Sequence, residues 1–382
     1  MPIKRNAAES GMETKEKRAD KGAVMAKRAS LPRILVSLVL GVVVLIFVIA
    51  ISFLLLQISG KNSLYSRADN GEMVNTLSGI AVELGGSIEE EEGDEDWQEG
   101  DFRFEGIHYR YNEDILTFLF MGIDKMTEVA PVEDGLDGGQ SDAIFLLVLN
   151  SHTKEITVIG IPRDIMAEVQ IYDEEGNYRG IGTAQLAIQH GYGDGAELSC
   201  ERSMQAVSKL FYGLPIHGYC AINMGAVPLI NDAVGGIDLK ATETLDFDNF
   251  RVTEGEDLHL EGMDAYYYLH NRDTKSEESA ARRLTRQKEY LIKYAAKAIE
   301  ATKKDITFPV SLYSTLSKYM VTDISVDEVS YLATQALGYS FDGDNMHVLQ
   351  GEIVQGERFE EFYADEDALY RLILKVFYEE VN

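Results

Sequence analysis

Three short apolar runs stand out along the chain: ILTFLFMGI (115–123), AIFLLVLN (143–150) and EITVIGI (155–161). Their length and their β-branched and aromatic content predict strands, and SHTK between the last two suits a hairpin turn. HGYCAINM (217–224) and IDLKAT (237–242) read as further strands. Helical spacing recurs at 71–86, 183–192, 197–213, 226–236, 260–272 and 279–303. Strands and helices that alternate in this way predict an α/β (α+β) fold, with a central mixed sheet covered by helices. Beyond 304, the segments 311–320, 325–337 and 367–381 have helical spacing, and NMHVLQGEI (345–353) reads as a strand.

Before the first strand the pattern changes twice. Residues 34–56 carry no charge over 23 positions, the length of a membrane-spanning helix. The 33 residues before it hold nine basic and four acidic side chains. The positive-inside rule then places the N-terminus in the cytoplasm and the body outside, with 34–56 as a signal anchor in the cell membrane. Residues 89–101 pack nine acids into thirteen positions and read as a solvated spacer. The expected organisation is therefore a basic tail (1–33), a transmembrane anchor (34–56), an acidic linker (57–108), a main domain (109–303) and a helical extension (304–382).

Net charge narrows the choice of partners. The chain carries −29 and its first 33 residues +5, leaving −34 on the remainder. Such a body repels nucleic acid. The seven histidines are scattered, which argues against zinc, and no Walker-type loop or nucleophile-elbow motif is present. Cys200 and Cys220 make no disulfide framework and read as buried thiols.

The candidate chemistry lies at strand ends. Asp124 follows the first strand, Asp142 opens the second, and Arg163 and Asp164 close the third. A hairpin of the second and third strands, with the first parallel to the third, brings these residues to one rim. The alternative is separate loop-capping acids. Carboxylates without clustered His or Cys suit a hard cation such as Mg²⁺, with Mn²⁺ as a substitute. The second feature is LHNRDTKSEESAARRLTRQKEYL (269–291), with four arginines in an acidic chain. If Leu284, Leu291, Ala295 and Ala298 form the buried stripe of that helix, Arg283 and Gln287 flank it, Arg286 lies further round and Arg282 points away. Arginine forks near a helix start suit phosphate oxygens; the competing reading is a solvated charged face.

The segments FLFMGID, QSDAIFLLVLNSHTKEITVIGIPRD, NDAVGGIDL and LEGMDAYYYLHNRD…RRLTRQ occur in this order. Together they resemble the LytR–CpsA–Psr family of membrane-anchored cell-wall proteins, over about half the chain. The resemblance implies a phosphotransferase that moves a polyprenyl-pyrophosphate-linked anionic glycopolymer, of teichoic acid or capsule type, onto peptidoglycan. The alternative is a non-catalytic scaffold of the same fold that binds polyprenyl phosphates. By motif, Asp124 and Asp142 would hold the metal, and Arg163, Arg272, Arg283, Arg286 and Gln287 would line the pyrophosphate. Asp124 and Arg163 would carry catalysis. The chain departs from the family pattern at Met126, Gln140, His270 and Ala280, with Lys125, Arg282, Glu277 and Glu278 as nearby compensating groups.

Overall fold

The computed structural model describes residues 50–67, 70–90, 96–132, 137–173, 175–273, 279–341, 343–357 and 359–381. Two compact units are distinguished, 1–58 and 59–382. Of the first, only 50–58 are described, and they are helical. The tail at 1–33 and most of the expected membrane span lie outside the described residues; among the described residues no helix is long and apolar enough to cross a membrane.

The second unit is built on a six-stranded mixed sheet. Its strands are β1 (Ile115–Ile123), β2 (Ser141–Asn150), β3 (Glu155–Ile161), β4 (Gly218–Asn223), β5 (Met320–Thr322) and β6 (Met346–Val348). Their spatial order is β5-β4-β1-β2-β3-β6. β1 is antiparallel to β2 and parallel to β4; β2 is antiparallel to β3. β1 buries residues on both faces along most of its length, which explains its almost continuous apolar run. The β2–β3 turn is held by Asn150, whose side chain accepts from the backbone N–H groups of His152 (2.9 Å) and Thr153 (3.1 Å).

The helices used below are α1 (Gly71–Glu83), α2 (Glu197–Leu210), α3 (Met263–His270), α4 (Ser279–Lys304) and α5 (Glu366–Phe377). The main core joins inward residues of β1, β2 and β3 to Met73 and Leu77 of α1 and to Tyr370, Ile373 and Phe377 of α5. A second core under α3 and α4 contains Ile237, Leu245, Tyr268 and Tyr290.

Several expectations need correction. Segment 183–192 is not one helix: Tyr178–Gln185 is a strand paired with Met166–Tyr172, followed by a single helical turn at Ile188–Gly191. Its local helical spacing yields to the hairpin, whose turn is set by the Asp173 carboxylate accepting from Asn177 N–H (2.8 Å). Inside the expected linker, α1 packs into the main core and Phe102–Phe104 pairs with Ile107–Tyr111. The last acid of the spacer run, Asp101, is buried against His108 (2.8 Å) and Arg110 (2.7 Å). The stretch after 304 supplies both edge strands of the central sheet, β5 and β6, besides its helices.

Candidate functional site

The three strand ends do converge. Ile144 pairs with Ile161 across β2 and β3, and Ile123 pairs with Ser141 across β1 and β2. The β1–β2 register passes from Gly122↔Ala143 to Ile123↔Ser141, so Asp142 is the extra residue of a β-bulge. A bulge re-aims a side chain at a strand end, and here that side chain is a buried carboxylate. Asp142 accepts from both Arg163 and Arg283: Arg163 Nη1 donates to Oδ1, and Arg283 Nη1 lies 3.5 Å from Oδ2. The rest of the Arg163 fork is occupied as well, by Gln140 Oε1 (2.8 Å) and Asp164 Oδ1 (3.2 Å). Gln140 is thus an acceptor that holds Arg163, a role no sequence motif announced.

Asp124 stays exposed at the same rim. Its backbone N–H donates to the Gln140 carbonyl (3.1 Å), and its Oδ1 accepts from Gln140 N–H (2.7 Å). This tight exchange passes beside Gly139, which has φ +81; a Cβ there would meet Ile123 at 2.7 Å and Asp124 Oδ1 at 3.2 Å. Behind it, the buried His190 donates through Nδ1 to the Gly139 carbonyl (3.0 Å), and burial lowers its pKa, which keeps the ring neutral. Cys200 lies 3.9 Å from the other ring nitrogen; both cysteines are buried and free.

The arginine helix closes the site from the other side. Its buried face does not follow Leu284, Leu291, Ala295 and Ala298, which are all only partly buried; among the described side chains of the helix the buried ones are Arg283, Arg286, Tyr290 and Thr302. The stripe is displaced by one residue because both guanidinium groups find partners inside. Arg283 reaches the Asp142 carboxylate and carbonyl. Burial, with Arg272 and Arg163 nearby, pushes its pKa down to about 10.

Arg286 is placed differently from the sequence expectation. Fully buried, it donates through Nη1 and Nη2 to the carbonyls of Tyr268 and Asn271 at the end of α3. Its Nε faces Glu243 Oε1 at 2.9 Å, an ion pair off the N–H axis, and its guanidinium stands over the Tyr268 ring (5.5 Å). Unsatisfied carbonyls at a helix C-terminus attract such a cation. Arg286 therefore serves the α3 terminus, and Gln287 turns the same way, 3.5 Å from the Leu269 carbonyl.

Arg272 follows α3, half-buried and with no hydrogen-bond or ion-pair partner among the described residues. His270 stacks on Tyr266 (4.9 Å), and burial, then Arg283 and Arg272, lower its pKa. Of the compensating groups, Lys125 donates to the Asp137 carbonyl and Arg282 pairs with Glu243 (3.1 Å). Glu277 and Glu278 lie outside the described residues, as does the Ala280 side chain. Among the described residues no cluster of three or more metal-type side chains occurs. Asp124 and Asp142 have the oxygen chemistry Mg²⁺ takes, and Mg²⁺ commonly uses only one or two carboxylates plus phosphate and water.

Relatives share this frame. The chain is 27% identical over 252 residues to the polyisoprenyl-teichoic acid–peptidoglycan teichoic acid transferase TagU of Oceanobacillus iheyensis, covering 65% of this chain and 72% of that one. A Bacillus cereus protein of the same name is 26% identical over 214 residues, 56% of this chain and 62% of its own length. Among solved structures, protein gbs0355 of Streptococcus agalactiae superposes with a TM-score of 0.55 at 20% identity, over 70% of this chain and 90% of that one. The model of the LytR_cpsA_psr family matches residues 85–369, and the chain belongs to that family.

Proposed function

We propose that the protein is an extracytoplasmic phosphotransferase, anchored in the membrane by residues 34–56, that moves an anionic glycopolymer from a polyprenyl pyrophosphate carrier to peptidoglycan. The observation that carries this reading is the gathering of Arg163 and Arg283 on the bulged Asp142, with Arg272 beside them. Arginine forks match phosphate oxygens, and phosphoryl transfer depends on positioning and on neutralising charge there. The names of the TagU relatives support the same class of reaction.

Charge counting supports a divalent cation. Arg163, Arg272 and Arg283 face Asp124, Asp142 and Asp164, three charges of each sign. A pyrophosphate diester adds two negative charges, which one Mg²⁺, or Mn²⁺, offsets. Asp124 and Asp142 would hold the ion, which supplies neutralisation of the phosphate oxygens. Arg272 and Arg283 bind and orient the pyrophosphate. Arg163, held by Gln140 and Asp164, keeps its charge beside the leaving side. A sugar hydroxyl of the acceptor attacks the distal phosphorus, its proton passes to the exposed Asp124 carboxylate, and the P–O bond to polyprenyl phosphate breaks.

A second reading, a scaffold that binds polyprenyl phosphate without transfer, is favoured by one observation: the Arg163 fork is already filled by Asp142, Gln140 and Asp164. Incubation of the full chain with labelled donor, peptidoglycan and Mg²⁺ separates the two. Label in the wall fraction that disappears with Arg283→Ala and with chelator supports the transferase. Donor binding without label transfer leaves the scaffold, and no donor binding rejects both.

A further inference from the structure

We propose that Glu243, which no motif singled out, is the positioning residue of the arginine cluster: it clamps the start of α4 to the end of α3 and so sets the reach of Arg272 and Arg283. The proposal rests on the reading of the rim as a pyrophosphate site. Glu243 lies in the turn between Ile237–Lys240 and Leu245–Phe247. One of its oxygens lies 3.1 Å from Arg282 Nε and the other 2.9 Å from Arg286 Nε. The carboxylate thus bridges two side chains one helical turn apart on α4.

Arg286 carries the bridge onward. Its remaining donors meet the Tyr268 and Asn271 carbonyls, and Asn271 directly precedes Arg272. Gln287 adds a weaker contact to Leu269. The two Arg286 contacts that hold the end of α3 against α4 therefore pass through a guanidinium that Glu243 faces. Burial lowers the Arg286 pKa while Glu243 opposes that shift. Removing the carboxylate leaves a fully buried cation without its counter-charge, a costly arrangement that relaxes by moving the arginine. The end of α3, with His270 and Arg272, moves with it. Arg283, three residues earlier on α4, then loses its alignment to Asp142. Glu243 also accounts for Arg282: paired at 3.1 Å, it supports the clamp rather than the ligand.

Two measurements on the full chain test this. Hydrogen exchange of the ligand-free protein reads the clamp directly: Glu243→Ala should speed exchange at 263–272 by about tenfold, with 295–304 unchanged. Binding of a short-chain polyprenyl pyrophosphate reads its consequence: Glu243→Ala should weaken affinity about tenfold. That loss should be partly non-additive with Arg283→Ala, because part of it is transmitted through the Arg283 guanidinium. Glu243→Gln, which keeps an acceptor of the same shape, should recover part of the affinity, and Arg282→Ala should lose less than threefold. Unchanged exchange at 263–272, wild-type affinity in Glu243→Ala, or fully additive losses would overturn the proposal. Failure of the wild-type chain to bind the probe would overturn the pyrophosphate reading instead, while the exchange result still judges the clamp.

Discussion

Two groups of buried charge lie at opposite ends of the same strands. At the rim, Arg163, Arg272 and Arg283 crowd together, and the first two help depress the Arg283 pKa. At the other end, a single guanidinium serves two acids: Arg67 donates to Asp323 (3.1 Å) and to the fully buried Glu328 (3.0 Å). There the strain has the opposite sign, since burial first and Glu328 among its neighbours raise the Asp323 pKa. Next to them the buried His217 accepts the Thr117 N–H (3.1 Å), a bond that requires an unprotonated Nδ1. In the lower group each carboxylate is paired with Arg67 and also accepts a backbone N–H, from Tyr219 to Asp323 and from Ser325 to Glu328. At the rim Arg163 and Arg283 share Asp142, and the close approach of Arg272 is what the proposed pyrophosphate reading uses.

Mutations can break this contrast. Arg283→Ala should reduce glycopolymer transfer about a thousandfold, roughly 4 kcal/mol, with the thermal midpoint little changed. A large midpoint drop with normal transfer would reverse the assignment. Arg67→Ala should do the opposite, costing about 3 kcal/mol of folding stability by leaving Glu328 buried and unpaired, with transfer per folded molecule unchanged; chemical denaturation checks it. Acid should then find the lower group. Burial lowers the His217 pKa from 6.5 to about 4, so the native state binds that proton less readily than the unfolded chain. Stability from this ring is complete above about pH 6.5 and is lost as pH falls towards 4, about 3 kcal/mol in all. His217→Gln should flatten that part of the pH–stability curve. The smallest effect is expected from Gly139→Ala, about 1 kcal/mol from the positive φ, read by denaturation alongside a loss of transfer as Asp124 shifts.

Much of the sheet was legible because its central strands are buried on both faces, and the apolar runs at 115–123 and 155–161 match the observed bounds. Convergence of Asp124, Asp142 and Arg163 followed from strand direction alone. Other features depend on distant partners. The bulge at Asp142 is a register property of two strands, invisible in either. The α4 stripe was misplaced by one residue because periodicity rewards Leu284 and Leu291, whereas Arg283 and Arg286 are buried by carboxylate and carbonyl partners elsewhere in the chain. Glu243 and Gln140 act only through those partners. The edge strand β5 has three residues, too short to carry a pattern, whereas β6 falls within the strand expected at 345–353.

One feature of the core bears on how the protein comes to be folded at all. Tyr378–Val381 pairs with Ile107–Tyr111, and the Tyr370 hydroxyl donates to the Leu77 carbonyl (3.3 Å) across 293 residues of chain. Contacts of that span form late and slow folding. A chain emerging N-terminus first holds Met73, Leu77 and Phe104 uncovered until α5 arrives, so its period of vulnerability to proteases and aggregation lasts almost as long as its own synthesis.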